Sequence, residues 1–370
     1  MTSTVLVSGA GVAGLAVAYW LRRLGLAPTV VERFPAQSGG GQAVDIRGVA
    51  LDVLGAMGLG DKVRDKRTRL KGMSVVDANG IEVRRVTDRT YSAGRLDSGD
   101  VEIFRSDLCA LLADAASGID IVHDDGIRAL DVHADGVDVE FLGGAPRRFD
   151  IVIGADGVYS HTRRLAFADE SCVKPLGVAL ALYTTANLID LRDIELAHRQ
   201  ETLGVVVYPT LDASELRVGV GFESGDVDRH DVAGQKALIA SRCAGVGGDL
   251  AKLVAAVETT PQFYYGDLAQ VKLPSWSNGR VVLAGDAAHC ASPFSGQGTS
   301  LALVGALVLA QAIARHRDDV PAAFSAYEER MRPFVALNQD LVDLTRQGPT
   351  PDEEMTRAKN GIEIGDLIPA

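Results

Sequence analysis

Residues 4–32 leave this chain few folds to choose from. Val5-Leu6-Val7 is an apolar run of the kind that forms a buried parallel strand, and it leads directly into Gly9-Ala10-Gly11-Val12-Ala13-Gly14. Leu15 to Leu24 continues at helical spacing and stops at Gly25, a C-cap residue. A second apolar strand, Thr29-Val30-Val31, then runs into Glu32 and Arg33. The three glycines have separate tasks: Gly9 permits the tight turn, Gly11 lets a pyrophosphate approach the backbone, and Gly14 lets helix and strand pack closely. Val12 and Ala13 open the helix, whose unsatisfied N–H groups and positive dipole end suit a diphosphate. Glu32 stands where an acid accepts hydrogen bonds from an adenosine ribose. Together these parts describe a dinucleotide-binding unit without deciding which dinucleotide.

Whole-chain properties narrow the partners. A chain of 370 residues with 47% hydrophobic content can build two lobes, each with its own core. A formal net charge of −12, with no Lys/Arg-rich stretch to offset it, argues against nucleic acid. Four cysteines without CxxC spacing read as reduced thiols of a cytoplasmic protein, and no HExxH or paired Cys/His cluster suggests a metal. The N-terminal apolar run lacks a charged n-region and is broken by glycines, so it is not a signal peptide. Leu301 to Ala314 is apolar but too short to span a bilayer, and is expected to be a buried core helix, with no membrane partner.

Further along, 72–86 alternates about Asp77-Ala78-Asn79-Gly80, a hairpin signal, and Ile127 to Phe141 does so about Asp135-Gly136. Ala50 to Leu59 and Ser106 to Ala116 read as helices. Between 169 and 273 the style becomes that of antiparallel strands, with a helix at Val232 to Cys243. Phe324, Tyr327, Met331, Phe334, Leu337, Leu341 and Leu344 recur at helical spacing, with Pro333 a kink. The expected fold is α/β. Residues 1–71, 102–168 and 274–318 make a discontinuous Rossmann-like nucleotide lobe, and 72–101 with 169–273 a sheet-based substrate lobe. A bridging helix at 319–347 and a polar tail at 348–370, with little to hold it, complete the chain.

Two later segments specify the ligand. Gly154-Ala155-Asp156-Gly157 is followed by Ser160 and Arg163, and Gly285-Asp286-Ala287-Ala288-His289 by Pro293 and Gly296-Gln297-Gly298. With the N-terminal glycines, these segments resemble those of the class A, single-component FAD-dependent aromatic hydroxylases, and are similar to those of the tetracycline-inactivating and polyketide-tailoring monooxygenases. The resemblance runs from about Thr4 to the C-terminal helix. It implies noncovalent FAD, with NAD(P)H as co-substrate. Asp286 would accept a hydrogen bond from the ribityl chain, and Gly296 and Gly298 would bring backbone N–H groups to the flavin ring edge. The helix starting near Thr299 would aim its dipole there. Arg105 resembles the family arginine beside the diphosphate or ribityl chain, and Arg47, after Gln42 and Asp45, is a candidate contact for flavin or nicotinamide. The family's frequent Asn after the Gly-x-Gly is Ser300 here, which puts a ring contact at that position in doubt.

What the resemblance implies chemically is a flavin C4a-hydroperoxide, formed from dioxygen, that hydroxylates an aromatic or polycyclic small molecule. The cofactor carries the chemistry, so no catalytic side chain is nominated. Tyr208, Pro209, Arg217, Pro293 and Phe294 are candidates for the substrate face, and Asp156, Arg163 and Arg47 for a transient NAD(P)H route between the lobes. An epoxidase, a Baeyer–Villiger-type oxygenase, or a catalytically silent FAD protein shielding a reactive intermediate are the alternatives.

Overall fold

In the computed structural model, residues 3–35, 41–167, 171–225, 227–228, 230–346 and 349–368 are described. The strands Thr4–Ser8 and Ala27–Glu32 pair in parallel, Val7 opposite Val30, and Ile151–Gly154 pairs with the other edge of the first, Val5 opposite Ile151. Val281–Leu283 and Ser277–Asn278 extend that edge and Asp120–His123 the opposite one, giving six strands. Both faces of this sheet are covered, which explains the unbroken apolar runs in its strands. Val5, Val7, Ile153 and Val282 pack on one face against the helices Val12–Arg23 and Gly298–Arg315. Leu6, Val152 and Val281 pack on the other against a three-stranded sheet containing Val137–Phe141. The helix Gly298–Arg315 is long and apolar enough to cross a membrane, but every residue from Ser300 to Ile313 is buried inside the fold.

The second lobe is a seven-stranded sheet, antiparallel except where Glu195–Gln200 joins Met73–Val76 in parallel. The hairpin of Met73–Val76 and Glu82–Val86 thus joins strands more than a hundred residues downstream in the chain. Val218, Val220 and Phe222 alternate inward along Glu215–Glu223 and meet Ile239, Leu250 and Leu253 from two covering helices. A ribbon of Ala43–Ile46 and Val101–Phe104 lies between the lobes. Ala43 N donates to the Tyr208 hydroxyl at 3.0 Å, and the Tyr208 and Phe104 rings stack with centroids 6.3 Å apart.

Three expectations need correction. The helix expected over Ala50–Leu59 runs Val49–Ala56 and stops short of 59 because Gly58 turns the chain at φ +72°, ahead of a separate short helix Gly60–Asp65. The bridging helix runs Val320–Gln339, continuous through Pro333, and stops eight residues before the expected 347. The C-terminal tail is held. Asp352–Lys359 is helical, and Ile362, Ile364 and Leu367 are buried in the main core. Asn338 Nδ2 donates to the Ala358 carbonyl at 3.2 Å, and Lys359 Nζ pairs with Asp100 at 2.9 Å. Those apolar residues are sparse among charges, so composition there reads as polar.

Candidate functional site

The glycine turn is built by contact. Gly9 has φ +107°, and a Cβ there would stand 2.6 Å from the Ala155 carbonyl oxygen. A Cβ on Gly14 would meet the Gly9 carbonyl oxygen at 1.8 Å, so the helix can lie on the turn only with glycine at both places. Gly11 precedes Val12 and Ala13 without a side-chain cap, leaving the first N–H groups of the helix open. The Glu32 carboxylate sits at the lip of the turn, accepting from Ala10 N at 2.7 Å and Phe34 N at 3.0 Å. Arg33 is exposed beside it, its guanidinium over the Phe34 ring. Arg105 begins the helix Arg105–Ala115, and its Nη2 lies 3.6 Å from the Cβ position of Gly11. Among the described residues the Arg105 guanidinium has no hydrogen-bond or ion-pair partner. A free cation over an open helix end is a fit for a diphosphate.

Asp286 lies across the same cleft. Gly285, at φ +58°, precedes it where a Cβ would stand 2.7 Å from Ala13 Cβ, so the first and last helices of the lobe converge on this turn. The Asp286 carboxylate is accessible from the cleft. Its surroundings exclude enough water to raise it above the ordinary carboxylate range, against the Cys290 thiol and the Arg105 charge. One of its oxygens is 3.9 Å from the Cβ position of Gly298. Gln297 gives no side-chain cap to the 18-residue helix that follows, so the N–H groups around Gly298 and Thr299 stay open beside it. Pro293 is exposed at the lip, and Gly296 turns at φ +61°. Two uncapped helix ends, an arginine unpaired among the described residues and an accessible carboxylate therefore share one cleft, and FAD is the group they fit. Its diphosphate would lie on Gly11 and Arg105, and its ribityl chain by Asp286.

Several expected contacts are turned inward. Asp156 caps the next helix, accepting from Thr162 N at 2.9 Å and from the Ser160 hydroxyl, with Gly157 turning at φ +83°. Arg163 is buried and donates to the Ala287 and Val158 carbonyls at 2.8 and 2.7 Å, tying the Asp-Gly turn to the Gly-Asp turn. Arg47 is buried too. It pairs with Asp45 at 2.7 Å and donates to the Gly296 carbonyl at 3.2 Å and the Ala93 carbonyl at 3.0 Å. These three side chains are spent on protein partners and shape the cleft from within. Gln297 Nε2 contacts Met355 Sδ at 3.0 Å, so only its backbone faces the loop. The fully buried Ser300 hydroxyl accepts from Arg47 N at 3.0 Å and ties the inter-lobe ribbon to the long helix instead of meeting a ring.

His289 and Cys290 also point inward. Burial pushes His289 down to about 4, leaving a neutral imidazole 3.3 Å from the Tyr327 hydroxyl and against the Trp276 ring. Burial likewise pushes the Cys290 thiol well up. On the sheet side, Tyr208 and Pro209 are buried, and Arg217 lies over the Phe104 ring at 5.6 Å. They bolt the lobes together, whereas Phe294, already a candidate, and the aromatics Tyr159 and Tyr264 are accessible. The Tyr159 hydroxyl donates to the Asp267 carbonyl at 3.3 Å, and Tyr264 stands within electrostatic reach of Asp286 and Arg105. Sequence reasoning missed both tyrosines. Tyr159 was signalled only by its place three residues after Asp156, and Tyr264 by nothing local.

The chain matches the FAD binding domain family over residues 2–342. It is 41% identical over 369 residues to an uncharacterized protein of Mycobacterium tuberculosis (strain ATCC 25618 / H37Rv), covering 98% of this chain and 99% of that one. It is 35% identical over 372 residues to a flavin-dependent monooxygenase of an unknown prokaryotic organism, with 98% and 96% covered. Among solved structures, tetracycline destructase Tet(55) superposes with a TM-score of 0.87 at 33% identity, covering 100% of this chain and 99% of that chain. Fold, cofactor cradle and relatives agree: this chain belongs to the FAD binding domain family and is a class A FAD-dependent monooxygenase related to the tetracycline destructases.

Proposed function

We propose that this enzyme hydroxylates an aromatic or polycyclic, polyketide-like small molecule in the cytoplasm, holding FAD noncovalently and drawing electrons from NAD(P)H. When bound, FAD supplies the redox chemistry, taking electrons from the nicotinamide and activating dioxygen for insertion of one oxygen atom into the substrate. The protein's own part is electrostatic and positional. Arg105 neutralises the diphosphate, Asp286 fixes the ribityl chain, and the open end of the Gly298–Arg315 helix favours negative charge at the ring edge. Accessible Phe294, Tyr159 and Tyr264 offer planar apolar surface to a ring-shaped substrate, and the covering sheet lobe keeps water from the reacting atoms. The thiols of Cys109, Cys243 and Cys290 suit a reducing compartment.

The observation that carries the reading is that accessible Asp286 and Arg105, which has no hydrogen-bond partner for its guanidinium among the described residues, share a cleft faced by a separate sheet lobe. Phenols, tetracyclines and other polycyclic polyketides, screened for acceleration of NAD(P)H oxidation, test it. Acceleration by at least one ring-containing compound is the expected result. Uniformly unstimulated oxidation by a flavin-loaded protein favours the alternative of a silent FAD binder.

A further inference from the structure

Asp45 and Glu102 stand directly opposite each other on the ribbon between the lobes. Opposed residues of an antiparallel pair share a face, with Cβ atoms about 4.5–5.5 Å apart. Both are buried, Glu102 at 6% exposure and the Asp45 side chain at 9%. One oxygen of each is occupied: Asp45 Oδ2 pairs with Arg47 at 2.7 Å, and Glu102 Oε2 accepts from the Thr68 hydroxyl. The other two, Asp45 Oδ1 and Glu102 Oε1, are buried with no hydrogen-bond partner among the described residues. An orphaned buried carboxylate oxygen is costly, and here there are two on one face.

The surrounding charges make it worse. Arg47 and Lys359 are the cations of the cluster, and both are also held by buried Asp100. Glu195, fully buried, approaches from the sheet lobe and accepts from Tyr91 N at 2.6 Å and Ser92 N at 3.0 Å. Tyr208 is committed to Ala43 N, and Arg217 to the Phe104 ring and the Thr184 hydroxyl. Four carboxylates thus face two cations. Burial first, then the Asp45 charge, pushes Glu102 up to about 8, and burial pushes Asp45 and Glu195 up as well. One proton halves the charge excess and bridges the two orphaned oxygens.

We propose that Glu102 is held as a carboxylic acid whose proton bridges it to Asp45, and that this shared proton maintains the Arg47 bracket under the flavin loop. The proposal rests on the FAD reading above. Asp45 Oδ2 is 3.7 Å from the Cβ position of Gly296, whose carbonyl receives the Arg47 Nε hydrogen bond. With the proton in place, Asp45 keeps a single negative charge for Arg47, and Arg47 keeps its bond to the loop. When the proton leaves to solvent, Glu102 becomes a second buried anion competing for Arg47. The Gly296–Gly298 backbone then loses its support. Glu102 is a positioning residue acting through Arg47.

Fluorescence titration of the apoprotein with FAD between about pH 6 and pH 9 tests this, alongside the infrared band of a protonated carboxyl. The wild-type dissociation constant should rise at least about fivefold across a midpoint near 8, and the infrared band should fade over the same range. Glu102→Gln, which keeps a donor and cannot ionise, should bind FAD as the wild type does at the acid end, stay flat with pH, and lack the band. A wild-type affinity independent of pH overturns the proposal, as does a Glu102→Gln variant that keeps the wild-type pH profile. If that variant does not fold, absence of the band from the wild type below its midpoint overturns the proposal without it. A wild type that binds no FAD at any pH overturns the cofactor reading and this one with it.

Discussion

At the scale of single residues, the site divides into side chains that face the cleft and side chains spent on building it. Asp286 belongs to the first kind. In the role proposed for it, Asp286 gives the ribityl chain one charge-assisted hydrogen bond, about 1.5–3 kcal/mol, so Asp286→Ala should weaken FAD binding roughly 10- to 150-fold with the fold intact. FAD affinity within twofold of wild type by fluorescence titration would contradict the assignment. His289 belongs to the second kind, and its folded pKa near 4 lies below the ordinary 6.5 because burial opposes the charged ring. Between those values the unfolded chain binds the proton and the folded chain does not. Its contribution to stability is therefore complete above pH 6.5 and lost as pH falls towards 4. In His289→Phe the slope of unfolding free energy against pH in that window should become shallower by up to about one proton. Denaturant titrations at a series of pH values show this, and an unchanged slope would refute it.

The sequence reveals elements in proportion to how local their causes are. The N-terminal unit was readable because strand, glycine turn, helix and acid lie within residues 4–32 and each obeys a local rule. The same holds for Gly285 and Asp286, whose neighbours repeat a known pattern. Arg47, Asp156 and Arg163 were named as cofactor-side residues from the same patterns, but Asp156 is taken by its own turn at Thr162, and the Gly296 and Ala287 carbonyls that hold Arg47 and Arg163 come near only once the chain is packed. The strand Glu195–Gln200 escaped notice because its alternation is interrupted by charges, and it is fixed by parallel pairing to a hairpin more than a hundred residues away. The C-terminal segment is the clearest case. Ile362, Ile364 and Leu367 carry its burial, and each full burial is worth about 1.5–3 kcal/mol. Ending the chain after Thr350 should lower the urea midpoint substantially and loosen Gln297, which loses Met355. An unchanged midpoint would show that the segment packs without stabilising.

At the scale of the whole molecule, the two lobes have different tasks and meet at a thin seam. The nucleotide lobe presents backbone N–H groups, Arg105 and Asp286, while the sheet lobe closes over them through the Tyr208–Phe104 stack and the Tyr208–Ala43 hydrogen bond. No side chain in the cleft is asked to do covalent chemistry, so the central claim concerns where the oxygen goes. The decisive measurement supplies the FAD-loaded enzyme with NAD(P)H, isotopically heavy dioxygen and a ring compound that accelerates NAD(P)H oxidation, and weighs the product. The account predicts a product heavier by one oxygen atom, and that atom carries the heavy isotope. Substrate recovered unchanged beside stoichiometric hydrogen peroxide, or oxygen drawn from water, would contradict it.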